Sequence, residues 1–166
     1  FILLASSFLS LIYIAPYRMK RVMSFLNPYE DPQGSGYQII QSFVSFAKGK
    51  FFGVGLGNSS QKLFFLPQGH NDFIFSIIAE ELGFVGSLNL VFLFGILIYS
   101  GFKMLERAKD LFSTNLISGI IILTSLQIII NISVTIGLMP TKGVPLPLIS
   151  YGGSSLVFTL FALGLI

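Results

Sequence analysis

The run FIFSIIAEELGFVGSLNLVFLFGILIYSGF, Phe73–Phe102, decides how this chain folds. Beyond Glu81 it holds no charged residue. It exceeds the roughly 20 residues an α-helix needs to cross a bilayer of ~30 Å hydrocarbon thickness. The reading is a membrane helix whose leading turns, Asp72 to Glu81, stand at the interface or line a water-filled cavity. A second uncharged run, Leu116–Met139, follows after a short polar connection and reads the same way.

Composition agrees with those two runs. Hydrophobic residues make up 53% of the 166 residues and charged residues only 10%, where a soluble domain carries about 25% charge. Mean hydropathy is +0.82. A chain so poor in charge cannot clothe a water-exposed globule, so lipid is its solvent. There are 18 Phe and no Trp, so Tyr must serve where Trp often anchors the membrane interface. Without cysteine, disulfides and thiolate metal sites are excluded.

Outward from the two spans, the chain divides by composition. Residues 1–15 and 154–166 are apolar but too short to cross alone, and both read as parts of membrane helices. A signal peptide is the weaker reading of 1–15, since no basic stretch precedes it. Residues 16–71 read as a long polar loop punctuated by Pro28, Pro32, Gly34, Gly36 and Pro67; 103–113 and 140–153 read as short loops. The expected architecture is all-α, a polytopic membrane bundle with spans at 73–102 and 116–139, and no β periodicity is sustained. Helix alternation puts loops 16–71 and 140–153 on one side and 103–113 on the other. The long loop carries six Lys or Arg against two acids. A positive-inside count would place it in the cytoplasm, but long loops escape that rule. An anionic ligand on the outer face accounts for the charge equally well.

Asp72 is the main chemical candidate. A helix beginning here gives a carboxylate in its first turn the favourable end of the dipole, so a plain helix cap is the structural alternative. At 100° per residue Asp72, Ser76, Ala79, Gly83, Gly86 and Leu90 share one face. That face is either a close helix contact or a cavity wall leading to Asp72. Glu80 and Glu81 point to different sides of the helix and read as interface markers bonded to neighbouring loops. On the second span Thr124, Gln127, Asn131 and Thr135 form a polar face expected to hydrogen-bond across to another helix. The following loop, Pro140-Thr-Lys142-Gly-Val-Pro-Leu-Pro-Leu-Ile-Ser150-Tyr151-Gly152-Gly153-Ser-Ser155, is stiff at its prolines and permissive at its glycines. Ser154 or Ser155 is placed to cap the next helix. Lys142 is the loop's only cation, on the same side of the membrane as Asp72.

Other signals are weak. Gly53-Val-Gly55-Leu-Gly57 lacks the strand-and-helix setting and spacing of a nucleotide loop. His70, Asp72 and a serine lack the elbow and oxyanion hole of a triad. A single His and no Cys speak against zinc.

Gln61-Lys62-Leu63, Pro67…His70-Asn71-Asp72-Phe-Ile-Phe…Glu80-Glu81-Leu-Gly83 and Pro140-Thr-Lys142-Gly…Leu-Pro147-Leu-Ile-Ser-Tyr-Gly-Gly-Ser-Ser resemble the SEDS proteins. These are the FtsW, RodA and SpoVE group of bacterial cell-wall synthesis. The resemblance runs through the whole chain, including Tyr17-Arg-Met-Lys-Arg21 and Gly36-Tyr-Gln38. It implies the C-terminal part of a ten-helix membrane fold in the bacterial cytoplasmic membrane, with loops 16–71 and 140–153 extracytoplasmic. Thr141-Lys142-Gly143 and Gln61-Lys62-Leu63 look closer to FtsW, and Val144-Pro145 to RodA.

The resemblance further implies a peptidoglycan glycosyltransferase that polymerises lipid II in division or elongation. Asp72 takes the place of the family's essential aspartate, as general base, and Lys142 matches a family lysine that assists. Substrate-binding positions on the matched motifs are Lys62, His70, Asn71, Ser150, Tyr151, Gly152 and Gly153. The implied partners are lipid II, nascent glycan, a class B penicillin-binding transpeptidase, and divisome or elongasome proteins. No nucleic acid is among them. No fixed cofactor is implied, and a divalent cation is left open. Gln68 and Asn71 depart from the family's usual Glu and Thr beside the aspartate. The competing classes are a transporter or flippase for lipid-linked sugars, which has no need of Asp72 as a base, and a non-catalytic scaffold for a transpeptidase.

Overall fold

The computed structural model describes residues 16–34, 36–59 and 72–166, with side chains from residue 21 onward. The helix expected at 1–15 and the positions Lys62, Gln68, His70 and Asn71 lie outside the described residues. Five helices follow one another: α1 Pro16–Leu26, α2 Tyr37–Gly49, α3 Ile74–Leu105, α4 Leu111–Thr135 and α5 Gly153–Gly164. No strand occurs among the described residues.

α3 and α4 are the two spans, with a mean hydropathy of 2.1 in their most apolar stretches. Only 17% and 33% of those stretches are buried. A core helix of a soluble protein would be mostly covered, so these faces meet lipid or further membrane helices. α4 begins five residues earlier than the apolar run because Asp110 caps it. Its carboxylate accepts from Ser113 N at 3.1 Å and from Ser113 Oγ at 2.7 Å. Those bonds hold the Asp110 carboxyl below its ordinary range. α4 ends at Gly137, whose φ of 73° suits glycine. There Leu138 N bonds Ser133 O at 2.7 Å and Gly137 N bonds Val134 O at 3.1 Å, a Schellman closure.

α3 is not one continuous rod. Gly83 has φ 70° and ψ −165°, which breaks the helix. The freed backbone groups are met by residues 50–55. Val54 N donates to Glu80 O and Gly55 N to Glu81 O, each at 3.0 Å, while Phe84 N donates to Lys50 O at 2.9 Å and Val85 N to Phe51 O at 3.2 Å. A broken membrane helix survives where its freed backbone groups are satisfied in this way. At the far end Lys103 Nζ lies 5.1 Å from the centre of the Tyr99 ring, as a cation does at an interface. From Lys103 back to Gly83 is a helix rise of about 30 Å, so the break falls at the opposite interface. The single face proposed from Asp72 to Leu90 therefore stops being one face at Gly83.

Residues 16–71, expected as loop, contain α1 and α2. Their apolar residues recur at helical spacing, a signal masked by the surrounding prolines, glycines and charges. α2 lies against α3 so closely that a Cβ on Gly49 would come within 1.9 Å of Ala79 O. Ser42 Oγ ties α2 to α4 by donating to Thr135 O at 2.7 Å. The core beneath combines Phe75, Phe94, Ile128 and Leu146, so loop 140–152 is built into the packing of α3 and α4.

Candidate functional site at the head of the third helix

Asp72 is the residue where the chain turns into α3. The cap position belongs to Phe73, which makes no side-chain cap bond. Its ring is instead buried beside Val134 and Ile130. Asp72 is therefore not the helix cap the sequence allowed for. Burying Phe73 fixes the entry of the helix and leaves the preceding carboxylate to face the loop after α4.

That loop is brought to Asp72 by a side chain from each of two helices. Asn131 of α4 is 1% exposed. Its Nδ2 donates to Asp72 O at 2.9 Å and to Val144 O at 2.7 Å. Arg21 of α1 donates through Nη1 to Thr141 O at 3.0 Å. Between these anchors Val144 N bonds Lys142 O at 2.9 Å, closing a three-residue turn over Gly143. The turn presents Gly143 to the carboxylate: a Cβ there would lie 3.2 Å from Asp72 Oδ2. Any larger residue would press on the oxygen.

Asp72 is half-buried. Burial pushes its carboxyl above the ordinary aspartate range, and the Arg21 charge opposes that rise. The result is a carboxylate more basic than usual, kept ionisable by a nearby cation. Lys142 projects from the same turn and is exposed. Among the described residues no three His, Asp or Glu side chains come together as a metal-binding group.

Ser150, Tyr151, Gly152 and Gly153 follow further along the same loop. Ser150 is buried, and its Oγ accepts from Leu146 N at 2.7 Å while its own N bonds Leu146 O at 3.0 Å. It closes the loop around Leu148, which sits at φ 66°, a left-handed backbone costly for leucine. Ser150 therefore helps to shape the loop. Tyr151 is 83% exposed. Gly152 holds the cap position of α5 and Gly153 opens the helix. Neither serine predicted as cap accepts there; Ser155 Oγ donates to Gly152 O at 3.0 Å.

The polar face of α4 also differs from its expected role. Thr124 Oγ1 and Thr135 Oγ1 bond carbonyls of their own helix, at 2.8 Å each, and Gln127 is exposed. Asn131 is the member of this face whose side chain reaches another segment. Glu80 is buried and accepts from Ser59 Oγ, which fits its reading as an acid bonded to a neighbouring loop. The glycines at 53, 55 and 57 serve the turn that closes the α3 break. Arg21 belongs to a matched motif, but nothing in the sequence pairs it with Asp72, from which 51 positions separate it.

An all-α fold with membrane-spanning helices is what the matched motifs led one to expect. The cell cycle protein family of the FtsW, RodA and SpoVE group matches residues 1–166. The chain belongs to that family. It is 48% identical to stage V sporulation protein E of Bacillus subtilis over 161 residues, 97% of this chain and 44% of that protein. It is 50% identical to the probable peptidoglycan glycosyltransferase FtsW of Coxiella burnetii over 169 residues, 99% of this chain and 45% of that one. Among solved structures, a chain of a peptidoglycan synthase complex matches with a TM-score of 0.76 at 33% identity, covering 99% of this chain and 45% of its own. A mutant of the rod shape determining protein RodA from Thermus thermophilus matches with a TM-score of 0.55 at 43% identity, over 58% of this chain and 32% of its own. The chain thus spans less than half the length of these relatives.

Proposed function

We propose that this chain is the Asp72-bearing part of a peptidoglycan glycosyltransferase that polymerises lipid II. The observation that carries the reading is the half-buried Asp72 carboxylate packed against Gly143, with Arg21 close enough to bias its proton and Lys142 on the adjoining turn. In the reaction Asp72 takes the proton from the attacking sugar hydroxyl. That oxygen forms the new bond to the donor's anomeric carbon, and the bond from that carbon to the diphosphate breaks. The electron pair leaves with the undecaprenyl diphosphate, whose charge Lys142 and Arg21 are placed to offset. A base of raised pKa suits this step, because proton abstraction strengthens as the base approaches the working pH.

In this reading loops 16–71 and 140–153 face the outside of the cytoplasmic membrane. Tyr151, Gly152 and Gly153, with Lys62, His70 and Asn71, bound the substrate surface. The protein works beside a class B penicillin-binding transpeptidase. The FtsW and SpoVE relatives favour division and sporulation roles over elongation. What supports these points is the motif match and the names of the relatives.

The test is polymerisation of fluorescent lipid II by the full-length protein in liposomes, wild type against Asp72→Asn. Loss of a base that contributes on the order of 10²–10⁴-fold abolishes detectable glycan, with the protein still folded. Undiminished glycan from Asp72→Asn removes Asp72 from the chemistry.

A further inference from the structure

We propose that Asn131 is the positioning residue that sets Asp72 and the Lys142 turn in register, an inference resting on the reading of Asp72 as the base. A single amide nitrogen serves both segments, donating to Asp72 O at 2.9 Å and to Val144 O at 2.7 Å. Its two N–H bonds diverge by about 120°, so the two carbonyl oxygens are held roughly 5 Å apart. One of these residues is the base, and the other lies two positions beyond Lys142. Among the described residues no backbone hydrogen bond joins the two segments, so the amide stands where a ladder would.

Burial makes the clamp stiff. Asn131 is 1% exposed, on a helix whose neighbouring turns pack Ile128 and Val134 into the core. Its Oδ1 is buried with no hydrogen-bond partner among the described residues. Here the donors are spent on two loop carbonyls, both beside the carboxylate. The geometry also ties the clamp to the proton: drawing residues 141–144 onto Asp72 helps to exclude water from the carboxyl, and burial is what raises its pKa.

The experiment uses the full-length protein in liposomes, with lipid II polymerisation followed from pH 4 to 9 for wild type, Asn131→Ala, Asn131→Asp and Asp72→Asn. Displacing a base by about 1 Å costs about 100-fold in rate. Asn131→Ala is expected to lower kcat by about that factor with KM for lipid II little changed. The acid limb of its profile should move to lower pH, since Asp72 becomes more hydrated and less basic. Asn131→Asp keeps the side-chain shape and, when ionised, removes both donors; it guards against loss through a cavity alone and should lose kcat similarly.

A fall in melting temperature with an unmoved acid limb makes Asn131 a structural residue and overturns the clamp. Wild-type kinetics in Asn131→Asp does the same. Full activity in Asp72→Asn overturns the functional reading itself. If Asp72→Asn is dead while both Asn131 variants are normal, the clamp alone fails.

Discussion

Two connecting segments reach α3, one at its Gly83 break and one at its head, and they are fastened differently. Residues 50–55 are stitched to the Gly83 break by four backbone hydrogen bonds. Residues 141–144 are brought to Asp72 by side chains, Asn131 and Arg21. The first joint depends on glycine geometry and tolerates little: a Cβ on Gly83 would come 2.3 Å from Gly53 N. The second depends on donors and charge, which side-chain substitution can tune. A rigid joint thus carries a tunable one, which suits the role proposed for Asp72.

The contrast fails if the Gly83 joint proves soft. Gly83→Val forces a β-branched residue to positive φ, a cost of at least ~1–2 kcal/mol, and drives its side chain into the 50–55 backbone. The expected outcome is the largest stability loss considered, read as a sharp fall in the melting temperature of the detergent-solubilised protein. A Gly83→Val protein with normal melting and normal polymerisation would mean that the break is not fixed by glycine.

Ser150→Ala sharpens the second joint. It removes the acceptor for Leu146 N, leaving a buried donor unmet at a cost of about 1–3 kcal/mol. Lipid II polymerisation should fall several-fold while KM changes most, because the displaced backbone leads into Tyr151 and Gly152. The smallest effect is expected at Asp110, on the other side of the membrane from both joints. Asp110 has a lowered pKa, so its cap contributes stability above the carboxyl's unfolded pKa and loses it as pH falls through the folded one. Asp110→Ala should melt slightly lower at neutral pH, match wild type in acid, and leave polymerisation unchanged.

The two joints also differ in how well they can be read from residues. The spans follow from uncharged length, and α3 and α4 stand where the runs at 73–102 and 116–139 lie, shifted at their ends by Asp110 and Gly137. The Gly83 break was hidden because a glycine in an apolar run reads as a small contact residue, and its partner carbonyls lie on a distant loop. α1 and α2 were hidden by surrounding turn residues. Asp72 stood out through the small-residue face below it, the cations on its side of the membrane and the matched motif, since an acid at a helix start is by itself ordinary. Arg21 lay in a matched motif, but neither its contact nor the reach of Asn131 could be read, because each bonds a backbone carbonyl, which leaves no mark in the sequence. The expected roles of the serines as caps, and of Thr124 and Thr135 as glue, failed because hydroxyls find their nearest carbonyl first.

The central claim is that Asp72 is a base whose proton is governed by burial and by Arg21, and the pH profile of polymerisation reads it most directly. Full-length wild type, Arg21→Lys and Arg21→Met are compared in liposomes. Arg21 lowers the Asp72 pKa, so removing its charge raises that pKa and leaves more of the base protonated at a given pH. The acid limb of kcat/KM should lie above the ordinary aspartate range in wild type, stay nearly in place in Arg21→Lys, and move to higher pH in Arg21→Met. An acid limb at the same pH in all three proteins would contradict the account.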